Sequence, residues 1–203
     1  MIANSPKNLK IAITGGIASG KSTVSSIISR FGYKVFSADE IYSELLEDES
    51  IAKKCCEIVG IAPKIVDGKA TFDKRSAAPI VYSDKEKRLA LDNYTHALVY
   101  KRIDELFAEN AETVFFEVPL LFESGREGDF DDVIVVVRDR DSRIEGAKDR
   151  DGKNRFEIEK IISSQFDYSD PRIHNYTVII NDGDVKSLSE KVVKVLGRYG
   201  ETR

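Results

Sequence analysis

Leu9-Lys10-Ile11-Ala12-Ile13-Thr14-Gly15-Gly16-Ile17-Ala18-Ser19-Gly20-Lys21-Ser22-Thr23 is the stretch whose reading decides the fold. Its first six residues form a short apolar run, a strand that leads straight into Gly15-Gly16. From Lys21 to Arg30 the apolar positions Val24, Ile27 and Ile28 recur at helical spacing, and Gly32 stops that helix. The turn between strand and helix matches G-x-x-x-x-G-K-S/T in full. Each part has a physical task. The glycines let successive backbone N–H groups converge into a concavity for an anion. The helix start adds the positive end of its dipole. Lys21 brings a full charge to the β- and γ-phosphates, and the Ser22 hydroxyl can ligate Mg²⁺. The strand–turn–helix setting is the context this motif requires, so the reading is a nucleoside-triphosphate site.

Outward from the loop, strands alternate with helices. Tyr33–Phe36 reads as a second strand, followed by Ser37-Ala38-Asp39 and a helix through Ile41, Leu45 and Leu46. A further helix is expected over Ser50–Val59, and Ala62–Asp73 as a loop with a short hairpin at Asp67-Gly68. Asp84–Ala108 is the longest expected helix, with Ser83 as N-cap and Glu86 at capping-box spacing. Val114–Val118 is the third strand, halted by Pro119, and Val133–Val137 is apolar throughout, as suits a strand covered on both faces. Helices over Asp141–Lys148 and Arg155–Gln165 flank a polar connection, Tyr176–Ile180 is the fifth strand, and Val185–Leu196 the closing helix. The pattern predicts an α/β fold: a five-stranded, mostly parallel sheet with helices on both faces. The stretch from Asp39 to Glu112 is too long for one crossover and is expected to fold as a helical insertion.

Composition narrows the class. The chain has 203 residues, 41% of them hydrophobic, and a formal charge of −4. That is one domain with room for an insertion, without the basic surplus of a protein that wraps nucleic acid. No run approaches the roughly 20 apolar residues that span a bilayer, and Met1–Lys10 lacks the apolar stretch of a secretory signal. Neither nucleic acid nor membrane is expected as a partner, and the location expected is cytoplasmic. The adjacent Cys55 and Cys56 read as two reduced thiols on a helix. Oligomeric state is not legible.

Among triphosphate-binding classes, a guanine-specific switch would need a base-reading Asn-Lys-x-Asp, which does not occur. A motor ATPase would need more chain. A small-molecule kinase fits best; it needs a carboxylate at the acceptor hydroxyl, a metal site and positive charge over the transferring phosphoryl group. Asp39, just past the second strand, is either that carboxylate or an acid favoured by the start of a helix. Glu117 either supports the metal's water shell with Ser22 or is an ordinary edge acid. Between Arg138 and Arg155 lie Arg140, Arg143, Lys148, Arg150 and Lys153, forming either a flexible closing lid or a solvated helix pair. His96 shares a predicted helical face with Leu89, Val99 and Ile103, the setting of a core histidine.

The stretch Thr14–Thr23 resembles the phosphate loop of dephospho-coenzyme A kinases, and Val118-Pro119-Leu120-Leu121-Phe122-Glu123-Ser124-Gly125 resembles a run more specific to that family. Ser37-Ala38-Asp39, Arg150-Asp151-Gly152, Gln165 and Val178-Ile179-Ile180-Asn181-Asp182-Gly183 extend the likeness from about Leu9 to Leu196. The resemblance implies transfer of the γ-phosphate of ATP, with Mg²⁺, to the 3′-hydroxyl of dephospho-coenzyme A, the last step of coenzyme A synthesis. It implies Asp39 as base, with Lys21 and Arg150 on the phosphates. Gly16, Ala18, Ser19, Gly20, Lys21, Ser22, Thr23, Arg143, Asn181 and Gly183 would surround ATP. His96, Pro119, Leu120, Leu121 and Glu123 would line the acceptor side. It divides a single kinase domain into a core at about 9–38, 112–138 and 176–199, an acceptor-binding insertion at about 39–111 and a lid at about 139–165. The chain departs from the family pattern at His96-Ala97, at Asn175-Tyr176 and at Ala18, where glycine is usual and where alanine calls for a negative φ. Two alternatives are a kinase for a nucleoside monophosphate or other adenylated acceptor, and an ATP-binding relative without turnover.

Overall fold

Five parallel strands carry the molecule: β1 (Lys10–Thr14), β2 (Lys34–Ser37), β5 (Val114–Glu117), β6 (Asp132–Val137) and β7 (Thr177–Ile180). They lie in the order β2-β5-β1-β6-β7, so the strand that leads into the phosphate loop is central. The computed structural model describes residues 8–200, and most of the Met1–Lys10 stretch read above lies outside the described residues. Parallel strands need crossovers, and these are supplied by α1 (Lys21–Arg30), the chain between β2 and β5, the segment with α6 (Leu121–Ser124) between β5 and β6, and α7 (Arg140–Asp151) with α8 (Arg155–Ser164); α9 (Val185–Leu196) closes the fold after β7. Alternate residues of the central strands, Ile11, Ile13, Ile134 and Val136, face Val24, Ile27 and Ile28 of α1 and Leu188, Val192 and Leu196 of α9 in one apolar core. Phe115 lies fully inside it, edge-on to Tyr33 and Tyr199. The Tyr199 hydroxyl donates to Asp132 Oδ2 at 2.7 Å and ties the end of the chain to the start of β6.

The residues Ala38–Ala108 form a compact unit of their own, distinct from the unit built on the five-stranded sheet. It comprises α2 (Ala38–Leu45), α3 (Glu49–Val59), the hairpin β3 (Lys64–Val66) and β4 (Lys69–Thr71), α4 (Lys74–Ser83) and α5 (Lys85–Ala108). Asp67 and Gly68 take φ values of 49° and 78°, the two left-handed positions that a tight hairpin turn demands. The unit's core gathers Cys55, Val59, Ala77 and Leu91. Both cysteines are free and buried, and burial pushes the Cys55 thiol up to about 11.

Three local expectations are corrected. Asp84, not Ser83, caps the long helix: its carboxylate accepts from the Glu86 and Lys87 N–H groups, while Ser83 ends α4 and donates to the Ile80 carbonyl. The α4 helix itself went unread because Pro79 lies inside it; Asp73 caps its start. On α5 the buried stripe runs through Leu91, Thr95, Val99 and Ile103; of the face expected around His96, Val99 and Ile103 are buried and His96 is half-buried, but Leu89 is exposed.

Replacing Phe115 by alanine removes a ring that two aromatic neighbours enclose, and the unfolding free energy in urea should fall by about 3–5 kcal/mol. Cys55 and Cys56 should react with a thiol reagent at pH 8 only after unfolding; rapid labelling of the native chain would contradict their burial.

Candidate active site

The turn from β1 to α1 is held by side-chain partners on four of its carbonyl groups. Lys21 Nζ donates to the Gly15 and Gly16 oxygens at 2.8 and 3.0 Å. Arg143 Nε donates to the Ile17 oxygen at 3.0 Å, and Asn181 Nδ2 to the Ser19 oxygen at 2.9 Å. In a trans peptide the N–H points opposite to the C=O, so the Ala18 and Gly20 N–H groups are turned away from those partners. Gly16 must lack a side chain because the Arg143 guanidinium lies where its Cβ would stand, and Gly20, at φ 101°, meets the Asn181 amide in the same way. Most of the longer helices begin on an Asp or Asn side chain: Asp48, Asp73, Asp139, Asn154 and Asp184 cap α3, α4, α7, α8 and α9. The α1 helix begins on Gly20 with no side-chain cap, which leaves the positive end of its dipole to an anion.

Ala18 has a φ of 53°, in the left-handed region, against the expectation that alanine there requires a negative angle. The strain, of order 1–2 kcal/mol, is offset by packing: the alanine and Ile17 sit against Ile144, Ala147, Ile158 and Ile162 of α7 and α8.

At the carboxyl end of β5, Glu117 accepts from Ser22 Oγ at 2.9 Å through Oε1 and from Ser25 Oγ at 2.7 Å through Oε2. A hydroxyl and a carboxylate side by side are hard oxygen donors, a set that suits Mg²⁺, which keeps water and substrate phosphates as its other ligands. Among the described residues no larger cluster of metal-binding side chains occurs. Sequence reasoning missed Ser25; only its position one helical turn beyond the loop could have pointed to it.

In the segment expected as a lid the two helices are present, and the connection between them is shorter than expected. The α7 helix runs to Asp151 and α8 starts at Arg155 under a complete Asn154–Glu157 capping box, so the connection shrinks to three residues, Gly152-Lys153-Asn154. Arg150 stands on the last turn of α7, bidentate to Asp151 at 2.6 and 2.9 Å. That hydrogen-bonded pairing, with the Glu117 carboxylate adding to it, holds the Arg150 guanidinium above its ordinary range, and the same pair holds Asp151 below the usual carboxylate range. Beside the root of this hairpin lies a cavity of about 580 Å³ whose lining includes Arg138, Arg140 and Arg143, the acids Asp139 and Asp167, and Tyr168. Burial pushes the Tyr168 phenol up to about 12, so it stays protonated.

Of the remaining residues singled out from sequence, Ser19 is buried, while Thr23 lies half-buried on α1. Gly183 packs against Ser187. Pro119 is half-buried and Leu120 exposed, but Leu121 is entirely enclosed and presents nothing to a ligand. Glu123 accepts from the Phe166 N–H at 2.8 Å, joining the Val118–Gly125 run to the segment after α8. Asp39 and His96 belong to the Ala38–Ala108 unit, Asp39 exposed in the first turn of α2 and His96 half-buried on α5.

The comparisons with known proteins agree with one another. The family model described as dephospho-CoA kinase matches residues 9–187. A dephospho-CoA kinase of Fusobacterium nucleatum is 37% identical over 184 residues, covering 90% of this chain and 94% of that one. Among solved structures, TT1252 from Thermus thermophilus superposes with a TM-score of 0.81 at 29% identity, covering 96% of this chain and 99% of its own. The dephospho-CoA kinase from Campylobacter jejuni gives 0.70 at 25% identity, covering 93% and 96%. A match that takes in the phosphate loop, the parallel sheet and the α7–α8 hairpin together leaves one assignment: this chain belongs to the dephospho-CoA kinase family.

Proposed function

We propose that the chain transfers the γ-phosphate of ATP to the 3′-hydroxyl of dephospho-coenzyme A, completing coenzyme A. The observation that carries this reading is the braced loop at the head of α1: an anion cradle of defined shape, with its lysine in place, in a chain of this family. Lys21, the N–H groups of Ala18 and of Gly20–Thr23 and the uncapped start of α1 take the triphosphate. In this reading Asn181 and Gly183 border the nucleotide from the end of β7, and Arg143 serves it by shaping the loop. Ser22 and Glu117 would hold Mg²⁺, which neutralises charge on the β- and γ-phosphate oxygens when bound. Asp39 accepts the proton of the 3′-hydroxyl as its oxygen attacks the γ-phosphorus and ADP departs. Arg150 exchanges Asp151 for the transferring phosphoryl group. His96, Pro119, Leu120 and Glu123 line the acceptor, with Leu121 supporting them from beneath. No helix among the described residues is long and apolar enough to cross a membrane, and a cytoplasmic site of action suits an enzyme that draws on ATP.

The deciding assay is ADP release with Mg·ATP and dephospho-coenzyme A, run in parallel with AMP, CMP, UMP and adenosine. Stimulation by dephospho-coenzyme A alone is expected; stimulation by a monophosphate instead would move the acceptor class, and none at all would mean a relative without turnover. Lys21→Ala should abolish transfer. Asp39→Asn should keep ATP affinity within about twofold and lower kcat by 10²-fold or more; wild-type kcat would remove Asp39 as the base. Arg150→Ala should cost on the order of 10²-fold in kcat. Ser22→Ala should raise the Mg²⁺ concentration needed for half-maximal rate, and a chelator should silence every variant.

A further inference from the structure

The α7–α8 hairpin meets the phosphate loop through a closed ring of three hydrogen bonds around Ile17. The Ile17 N–H donates to Gln165 Oε1 at 2.8 Å. Arg143 Nε donates to the Ile17 carbonyl at 3.0 Å, and Arg143 Nη2 donates to the same Gln165 oxygen at 3.2 Å. Both peptide groups that flank Ile17 are therefore fixed, one through its N–H and the other through its C=O. Arg143 is only 8% exposed. A cation so withdrawn from water is costly unless donors are used, and here Nε meets a backbone carbonyl and Nη2 a neutral amide oxygen. The next residue is Ala18 at φ 53°, a conformation that persists only where the surroundings enforce it.

We propose that Arg143 and Gln165 are positioning residues for the phosphate loop: they lock the Ile17 peptides and the left-handed turn at Ala18, so the anion cradle has its shape before nucleotide arrives. The root of the hairpin is thereby part of the cradle, and only the far turn around Gly152–Asn154, with Arg150, is left to move over the phosphates. Neither residue touches the reacting atoms; both act through the loop backbone. The proposal rests on the kinase reading only for its kinetic readout.

The test compares Gln165→Leu, which keeps the side chain's bulk and removes the acceptor, with Gln165→Glu, which restores an acceptor oxygen. A fluorescent ATP analogue gives affinity, steady-state assays give KM for ATP and for dephospho-coenzyme A, and thermal unfolding gives stability. Gln165→Leu should weaken analogue binding and raise KM for ATP by roughly tenfold, the scale of one lost buried hydrogen bond. KM for the acceptor should stay unchanged, and Gln165→Glu should recover most of the loss. Arg143→Met should do the same, and the double variant Arg143→Met with Gln165→Leu should lose little more than either alone, because both act on one residue's peptides. Should Gln165→Leu fail to fold, Gln165→Asn withdraws the oxygen by one methylene and should show the same ATP-specific loss. Wild-type ATP affinity and KM with only a lowered melting temperature would overturn the proposal, as would a rise confined to the acceptor KM. A wild-type chain that binds the analogue yet does not phosphorylate dephospho-coenzyme A would sink the kinase reading alone; analogue affinity in the variants would still decide the clamp.

Discussion

A loop that binds an anion through backbone N–H groups must first dispose of its carbonyls, since each peptide carries a partial negative charge as well as a positive one. In this chain the disposal is explicit: Gly15 and Gly16 give theirs to Lys21, Ile17 to Arg143 and Ser19 to Asn181. Those partners come from α1, from α7 and from the end of β7, so the loop's shape depends on the order of the sheet. Because β1 sits in the middle with β6 and then β7 beside it, segments distant in sequence converge on one turn. The glycines follow as a consequence, marking where a neighbouring side chain already occupies the space.

Electrostatics follow the same layout. Glu117 is shared between Ser22 and Ser25, so the acid nearest the head of α1 is oriented by two hydroxyls of that helix. Arg150 is held at the surface by its neighbour Asp151. Such a surface pair is weak enough to be given up.

Much of the fold was legible because its signals are local. The α1 and α9 helices have the bounds their periodicity implied, and the valine run of β6 marked a strand covered on both faces. The Asp67-Gly68 dipeptide fixed a turn through backbone chemistry alone. What could not be read depends on contacts between distant segments. Proline usually ends a helix, so α4 was hidden by Pro79. The polar connection expected after Lys148 is shorter than its charge density suggested, because α7 runs on through Arg150 to Asp151 and Asn154 caps α8. Leu121 belonged to a run that resembled an acceptor wall, yet the turn after Pro119 folds it inward. Arg143 was expected around ATP; nothing in its sequence neighbourhood could announce that it also braces a loop carbonyl more than a hundred residues away.

Ala18 shows how a strained position becomes hard to reverse. Its methyl group lies within the small apolar cluster of α7 and α8, so the backbone penalty and the packing gain belong to the same atom. Returning the position to glycine would relax the dihedral angle and at once open a gap between loop and hairpin. The position is thus coupled to Ile144 and Ala147, and to Gly146, where an added Cβ would come within 3.5 Å of that same methyl. A change at any of the four alters the space left to the other three.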